Sequence, residues 1–172
     1  FSGTIQRSES GSGYEQGVYA TYRFLERELS SNVPFLREDS SINVVFISDA
    51  DETPYNDATT GLPIVTQRNK PEELIKYLNT NWSKKKFQFH SIVVKANDAA
   101  CLQTSGNESY GVTYEKLSDL TKGIKGSVCA PDYGSQLTFL SERIKDLVKV
   151  IALDCEPAVD PQGKAMFSIM LN

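Results

Sequence analysis

The residues best suited to chemistry are Asp49, Asp51 and Glu52, which directly follow the apolar run INVVFIS at 42–48. Hard divalent cations such as Mg²⁺ take oxygen ligands, and carboxylates supply them. In an open parallel sheet, ligands settle at the carboxyl ends of the strands. The position of this cluster therefore matters as much as its composition. The plainer reading is a solvated acidic turn. Asp49-Ala50-Asp51 is also a D-x-D sequence, which in nucleotide-sugar glycosyltransferases holds a metal against a diphosphate, but no other piece of such a site accompanies it. Upstream, Ser12 and Glu15 stand where a helix begins, behind Gly11 and Gly13. A hydroxyl and a carboxylate at that position serve as caps, or reach a metal at the sheet edge.

Other chemistry is poorly supplied. The single histidine, His90, lies inside an apolar run, which predicts a strand residue that packs or points to solvent. Cys101, Cys129 and Cys155 include no C-x-x-C pair, and zinc needs about four N or S ligands at tight spacing. One disulfide with one free thiol fits an exported protein; three buried thiols fit a cytosolic one. No G-x-S-x-G, P-loop or G-x-G-x-x-G occurs, so the nucleophile and nucleotide motifs are absent from the sequence. Gly11-Ser12-Gly13 follows no convincing strand. Two sequons, at Asn81 and Asn107, have meaning only in a eukaryotic secretory pathway.

The elements that position these residues follow from periodicity. Tyr14, Val18, Tyr22, Leu25 and Leu29 recur at steps of three and four, which predicts a helix with Arg23, Glu26 and Arg27 opposite. Gly17 weakens that helix by about 1 kcal/mol relative to Ala and marks a close approach of the backbone to another element. The β-branched run 42–48 predicts a strand buried on both faces. A loop spans Thr53 to Asn69. Pro71 then opens a helix, with Glu72 and Glu73 in its first turn and Leu74, Ile75, Leu78 and Trp82 on its apolar face. Residues 87–94 read as a strand, followed by a polar loop through Asn97, Asp98 and Cys101 to Gly111. Tyr114, Leu117 and Leu120 predict a helix that stops at Gly123. A short strand near Ser127–Cys129, a helix on Leu137, Leu140, Ile144 and Leu147, and a strand at 149–153 complete the order. Such alternation predicts an α/β fold: a Rossmann-like, mainly parallel sheet with helices on both faces.

The bulk numbers agree. The chain has 172 residues, 40% of them hydrophobic and 23% charged, with a net charge of −4. These values suit one globular domain. The triplet Lys84-Lys85-Lys86 is the only basic cluster and reads as a solvated helix end, so no nucleic-acid partner is expected. No run approaches the ~20 apolar residues of a membrane span. The start at Phe1 without Met leads to the expectation that this is a trimmed piece of something longer.

In order and spacing, VVFISDADE, the upstream GSGYEQGVYATYRFL and the later Cys101…Tyr114-Glu-Lys-Leu…Thr121-Lys-Gly…Ser127-Val-Cys129 resemble the von Willebrand factor A-type (vWA) domain. The likeness is greatest to its divergent bacterial exported or lipoprotein versions. It covers roughly residues 9–155, leaving 156–172 as an extension or the start of a following region. The resemblance implies a metal-ion-dependent adhesion site at the upper edge of the sheet. Asp49 matches the Asp that follows the family's fourth strand. Ser12 is the best counterpart of the second-loop Thr, with Glu15 behind it. The family's D-x-S-x-S turn does not occur in these residues, and its first strand and first helix have no counterpart. The expectation is that an upstream segment or another chain completes the domain, and that a divalent metal, Mg²⁺ first, binds weakly without it. The family pattern also pairs Cys101 with Cys129. A loop of that size, with 27 residues between them, is worth roughly 3 kcal/mol when closed. Cys155 is then left over.

These readings converge on a non-enzymatic adhesion or ligand-binding module of an exported or surface protein, facing a protein or other surface ligand. The alternatives are a scaffold domain with a lost metal site and a D-x-D glycosyltransferase-like enzyme.

Overall fold

Valine and isoleucine are stiff at χ1 and, with phenylalanine, pack well on a pleated surface, and the two richest runs of them become the two longest strands among the described residues. The computed structural model describes residues 14–53, 55–56, 63–64, 67–106, 109–148 and 159–162. Along the chain come α1 (Gly17–Ser30), β1 (Ile42–Ser48), the short strands β2 (Tyr55–Asn56) and β3 (Pro63–Ile64), a 3-10 turn at Gln67–Asn69, α2 (Pro71–Asn81), β4 (Phe87–Val93), α3 (Ala99–Ser105), α4 (Val112–Leu120), β5 (Lys125–Ser127) and α5 (Tyr133–Val148). The main sheet has the order β1-β4-β5 and is parallel throughout, with Ile42 opposite Phe87 and Ser91 opposite Lys125. The protein is thus α/β with a Rossmann-like parallel sheet, as its alternation implied.

Alternate residues of the strands face opposite layers. Ile42 and Phe46 of β1 and Phe89 and Val93 of β4 meet Val18 and Leu25 of α1, Leu74 and Leu78 of α2, and Tyr114 and Leu117 of α4 in one buried cluster. Phe46 sits at its centre, 4.9 Å from the Tyr114 ring and 6.0 Å from Phe89 between centroids. On the opposite face, α5 reaches the sheet through Gln136, whose amide bonds both the N–H and the carbonyl of Ser127. Helices therefore flank both faces. Central β4 is buried along nearly its whole length, whereas Ile47 of the outer strand β1 is exposed.

Gly17 is where α1 comes closest to the sheet. A Cβ there would lie 2.8 Å from Phe46 Cδ1 and 3.0 Å from Tyr114 Cε1, so the helix can settle onto these rings only without a side chain.

Four local expectations need correction. The segment read as a polar loop contains α3, because Asp98 caps it by accepting the Cys101 N–H at 3.0 Å. The third strand lies at Lys125–Ser127 rather than Ser127–Cys129, because its pairing with Ser91–Val93 ends at Ser127 and the chain then turns, the Cys129 N–H bonding the Ser127 hydroxyl. The loop from Thr53 to Asn69 holds the β2–β3 pair. Lys85 is not part of a uniformly solvated triplet. Its ammonium bonds the carbonyls of Arg37 and Glu38. The expected strand at 149–153, Ser12, Asn107, Cys155 and all but 159–162 of the tail lie outside the described residues. No helix among the described residues is long and apolar enough to cross a membrane.

Candidate functional site

Parallel strands deliver their carboxyl ends to one edge, and the acidic turn leaves β1 there. Its three carboxylates have different fates. Asp49 is exposed and makes no hydrogen bond or ion pair among the described residues. Asp51 turns inward onto α4. Its Oδ1 accepts the Thr113 N–H and its Oδ2 the Thr113 hydroxyl, both at 2.9 Å, while its own N–H bonds the Ser109 hydroxyl at 3.1 Å. Both oxygens of the second Asp of D-x-D are thus engaged in tying β1 to α4.

Glu52 takes four donors. Its carboxylate accepts the N–H groups of Val18 at 2.9 Å and Tyr19 at 3.0 Å, the Tyr114 hydroxyl at 3.0 Å and the Asn69 amide at 2.9 Å. It therefore caps α1 from another part of the chain. This corrects the expectation that Glu15 caps that helix: the cap position is Gln16, whose side chain makes no cap hydrogen bond, while Ser12 lies outside the described residues. A carboxylate held on two N–H groups at a helix N-terminus also meets the positive end of the helix dipole.

Burial pushes both acids up from the ordinary carboxylate range, and the bonds from Thr113 to Asp51 and from Val18 and Tyr19 to Glu52 pull them part of the way back. Tyr114 is pushed far up, first by burial and then by the Glu52 charge. Its hydroxyl therefore stays a donor to Glu52 while accepting the Gly17 N–H at 3.2 Å.

Glu15 lies beside the end of β1. Its backbone carbonyl accepts the N–H of Thr53 at 2.7 Å and the Thr53 hydroxyl at 3.1 Å, and its carboxylate stands 3.5 Å from the Ser48 hydroxyl. Asp49 and Glu15 thus come to the same edge, while Ser12 lies outside the described residues. Ser48 is the hydroxyl that sequence reasoning missed. As the last residue of the apolar run it read as part of the strand, and only its direct precedence to Asp49 signalled a role at the edge.

Among the described residues, no group of three or more His, Cys, Asp or Glu side chains is placed to hold a metal ion. Asp49, Glu15 and the Ser48 hydroxyl are the available oxygens. Mg²⁺ takes six oxygens in near-octahedral array, several of them usually water, and is held by one or two carboxylates, so these oxygens supply part of a coordination shell. Cys101 of α3 and Cys129 after β5 are joined by a disulfide, which braces the loops beyond β4 and β5 at this same edge. His90 lies away from it, with Nδ1 accepting the Ile124 N–H at 3.0 Å and burial lowering its pKa.

No family model matches the chain, and neither a curated protein nor a solved structure matches it.

Proposed function

We propose that the chain is a von Willebrand factor A-type ligand-binding module of an exported or surface protein, without enzymatic activity, that engages a protein or other surface ligand through the carboxyl edge of its sheet. The observation that supports this most is Asp49: exposed at the end of β1, and without a bond among the described residues, beside two acids whose oxygens are all engaged. Asp51 and Glu52 hold the turn in place, and the remaining carboxylate projects from it. A fixed, outward carboxylate on a rigid element is what recognition requires. The disulfide suits an oxidising compartment and so favours export.

The family reading brings a divalent cation, Mg²⁺ first, to this edge, where it would polarise and hold a ligand carboxylate. Asp49 and Glu15 are its holders in this reading, with Ser12 as a third. An upstream segment, another chain or the ligand supplies the remaining oxygens.

A scaffold role is the second reading. It is favoured by the engagement of Asp51 and Glu52 in holding α1 and α4, which gives the acidic turn a purely structural use.

Melting temperatures with and without millimolar Mg²⁺ or Mn²⁺ separate the two, measured on this chain and on one extended upstream. A ligand that binds only the folded state must raise stability by mass action. The recognition reading expects a rise in the extended chain that Asp49→Ala abolishes. No response in either chain leaves the scaffold reading.

A further inference from the structure

The disulfide at the carboxyl edge does not join two parts of the core. Cys129 stands in the turn after β5, and its partner Cys101 belongs to α3. Of the seven residues of α3, only Cys101 is buried, and none belongs to the core cluster. The hydrogen bonds of α3 are local too. Asp98 accepts the N–H groups of Cys101 and Leu102, and the Thr104 and Ser105 hydroxyls bond carbonyls within the helix. Among the described residues, its polar and covalent ties to the rest of the fold all pass through Cys101: the disulfide, and a contact of 3.9 Å between Cys101 Sγ and Ser127 Oγ. A helix of this length is not stable by itself. A segment with so few buried contacts opens locally, at far less cost than the whole domain.

The ends of the segment are secured separately. The Ala96 N–H bonds the Glu115 carboxylate and the Gly111 N–H the Val94 carbonyl, both at 2.9 Å. Between α3 and that second anchor lies Ser109, whose hydroxyl accepts the Asp51 N–H at 3.1 Å. Ser109 is thus held from both sides while α3 is fixed, and from one side only when α3 is released. Through this bond α3 is coupled to the turn from which Asp49 projects.

The two cysteines also differ in access: Cys129 is exposed, whereas Cys101 is 3% exposed. Thiol–disulfide exchange depends on which sulfur a thiolate can reach, and here that is the Cys129 side. We propose that the Cys101–Cys129 disulfide is a redox latch that fixes α3, and through Ser109 the acidic turn, at the carboxyl edge of the sheet. A dithiol opens it. One thiolate of the reductant attacks Cys129 Sγ, the S–S bond breaks, and Cys101 leaves as a thiolate that takes up a proton. The second thiol then displaces Cys129, which is protonated in turn. Two electrons have passed to the protein, and the reductant leaves as a disulfide. A disulfide oxidant closes the latch by the reverse steps. The latch does not depend on what the Asp49 edge binds.

Hydrogen-exchange mass spectrometry tests this on the chain and on its Cys155→Ser variant, which removes the third thiol, each oxidised and after reduction with dithiothreitol. Thiol titration counts the freed groups. On reduction the amides of α3 should exchange at least about tenfold faster, the Asp51 amide should follow, and β4 and α4 should be unchanged. Cys101→Ala combined with Cys129→Ala should show the open pattern with or without dithiothreitol. In the oxidised chain, Ser109→Ala should speed exchange at Asp51 and leave α3 protected. Equal protection of α3 with both thiols titrated overturns the proposal. Loosening that extends through β4 and α4 also overturns it, because the bond is then a general staple. So does an Asp51 amide indifferent to both reduction and Ser109→Ala. No ligand enters the measurement, so a failed latch and a failed recognition site are told apart.

Discussion

The Tyr114 hydroxyl lies 3.0 Å from the Glu52 carboxylate and 3.2 Å from the Gly17 amide nitrogen, so one phenolic oxygen links the start of α1 to the turn after β1. Its ring packs on Phe46. The same side chain is thus core at one end and a polar brace at the other, as a buried tyrosine with a satisfied hydroxyl should be. Tyr114→Phe keeps the ring and removes the brace. Gly17 N–H loses its acceptor and Glu52 keeps three of four donors. The expected cost is about 1–3 kcal/mol, the penalty for a half-buried polar group left short of a partner. Urea denaturation should show a lower midpoint with an unchanged m-value.

The acids of the turn divide by role, and mutation should show it. Asp51→Ala removes the acceptor of two Thr113 bonds and should cost about 1 kcal/mol, as loss of a helix cap does. Thr113→Val removes one of those bonds, so the two changes share an interaction. A double-mutant cycle should return a coupling of about 0.5 kcal/mol or more. Asp49→Ala, at an exposed position without such bonds, should stay within about 0.5 kcal/mol in the absence of metal. A large loss from Asp49→Ala alone would give that residue a structural role and remove it from the recognition edge.

The fold was legible where one signal dominated. Seven successive residues from Ile42 and seven from Phe87 are apolar or β-branched enough to make buried strands, and both are strands over those residues. Alternation with amphipathic helices then implied the parallel sheet. Short elements escaped because their causes are not periodic. The helix α3 depends on a single Asp98 cap, and β5 on a register that only pairing with β4 sets. In the candidate site, sequence showed that three acids follow a strand but not which of them bond inward. Asp51 meets Thr113 and Glu52 meets Val18 across 62 and 34 positions. No local pattern encodes a cap contributed from that distance, so Glu15, next to the helix, read as the cap instead.

Acidification should act on two opposed sets of groups. Burial lowers the pKa of His90, and Arg143 adds to the shift. A base with a folded pKa below its unfolded one contributes stability that is complete above about pH 6.5 and is lost as pH falls through the window beneath. Asp51 and Glu52 are raised by burial. Their contribution is present below the unfolded carboxylate range, about pH 4, and is lost as pH rises through the raised values. On descent from neutral pH, His90 therefore lowers stability first, and the two acids then oppose the loss. Thermal melts at intervals from pH 7.5 to 4.5 should show the early decline in the parent chain. His90→Gln should remove that decline and leave the acid-side rise. An unchanged early slope in the variant would assign it to other groups.

Gly17 sets how closely α1 approaches the sheet, and the approach is testable by filling it. In an open helix, Gly→Ala stabilises by about 1 kcal/mol. Here the added methyl would lie 2.8 Å from Phe46 Cδ1 and 3.0 Å from Tyr114 Cε1, closer than carbon atoms tolerate. Overpacking of this kind costs about 1–3 kcal/mol, so the steric effect should exceed the propensity gain and Gly17→Ala should destabilise. The obstacle is a side chain, so it can be removed. In a Phe46→Ala background both Phe46 contacts are gone and Tyr114 Cε1, at 3.0 Å, need give only a few tenths of an ångström, so the same substitution should become neutral or stabilising. The change of sign between backgrounds, read by urea denaturation, distinguishes a steric approach from a conformational need for glycine, which would persist in both. The distinction bears on the recognition edge, because Glu15 lies two residues before Gly17 and is placed by the same docking of α1.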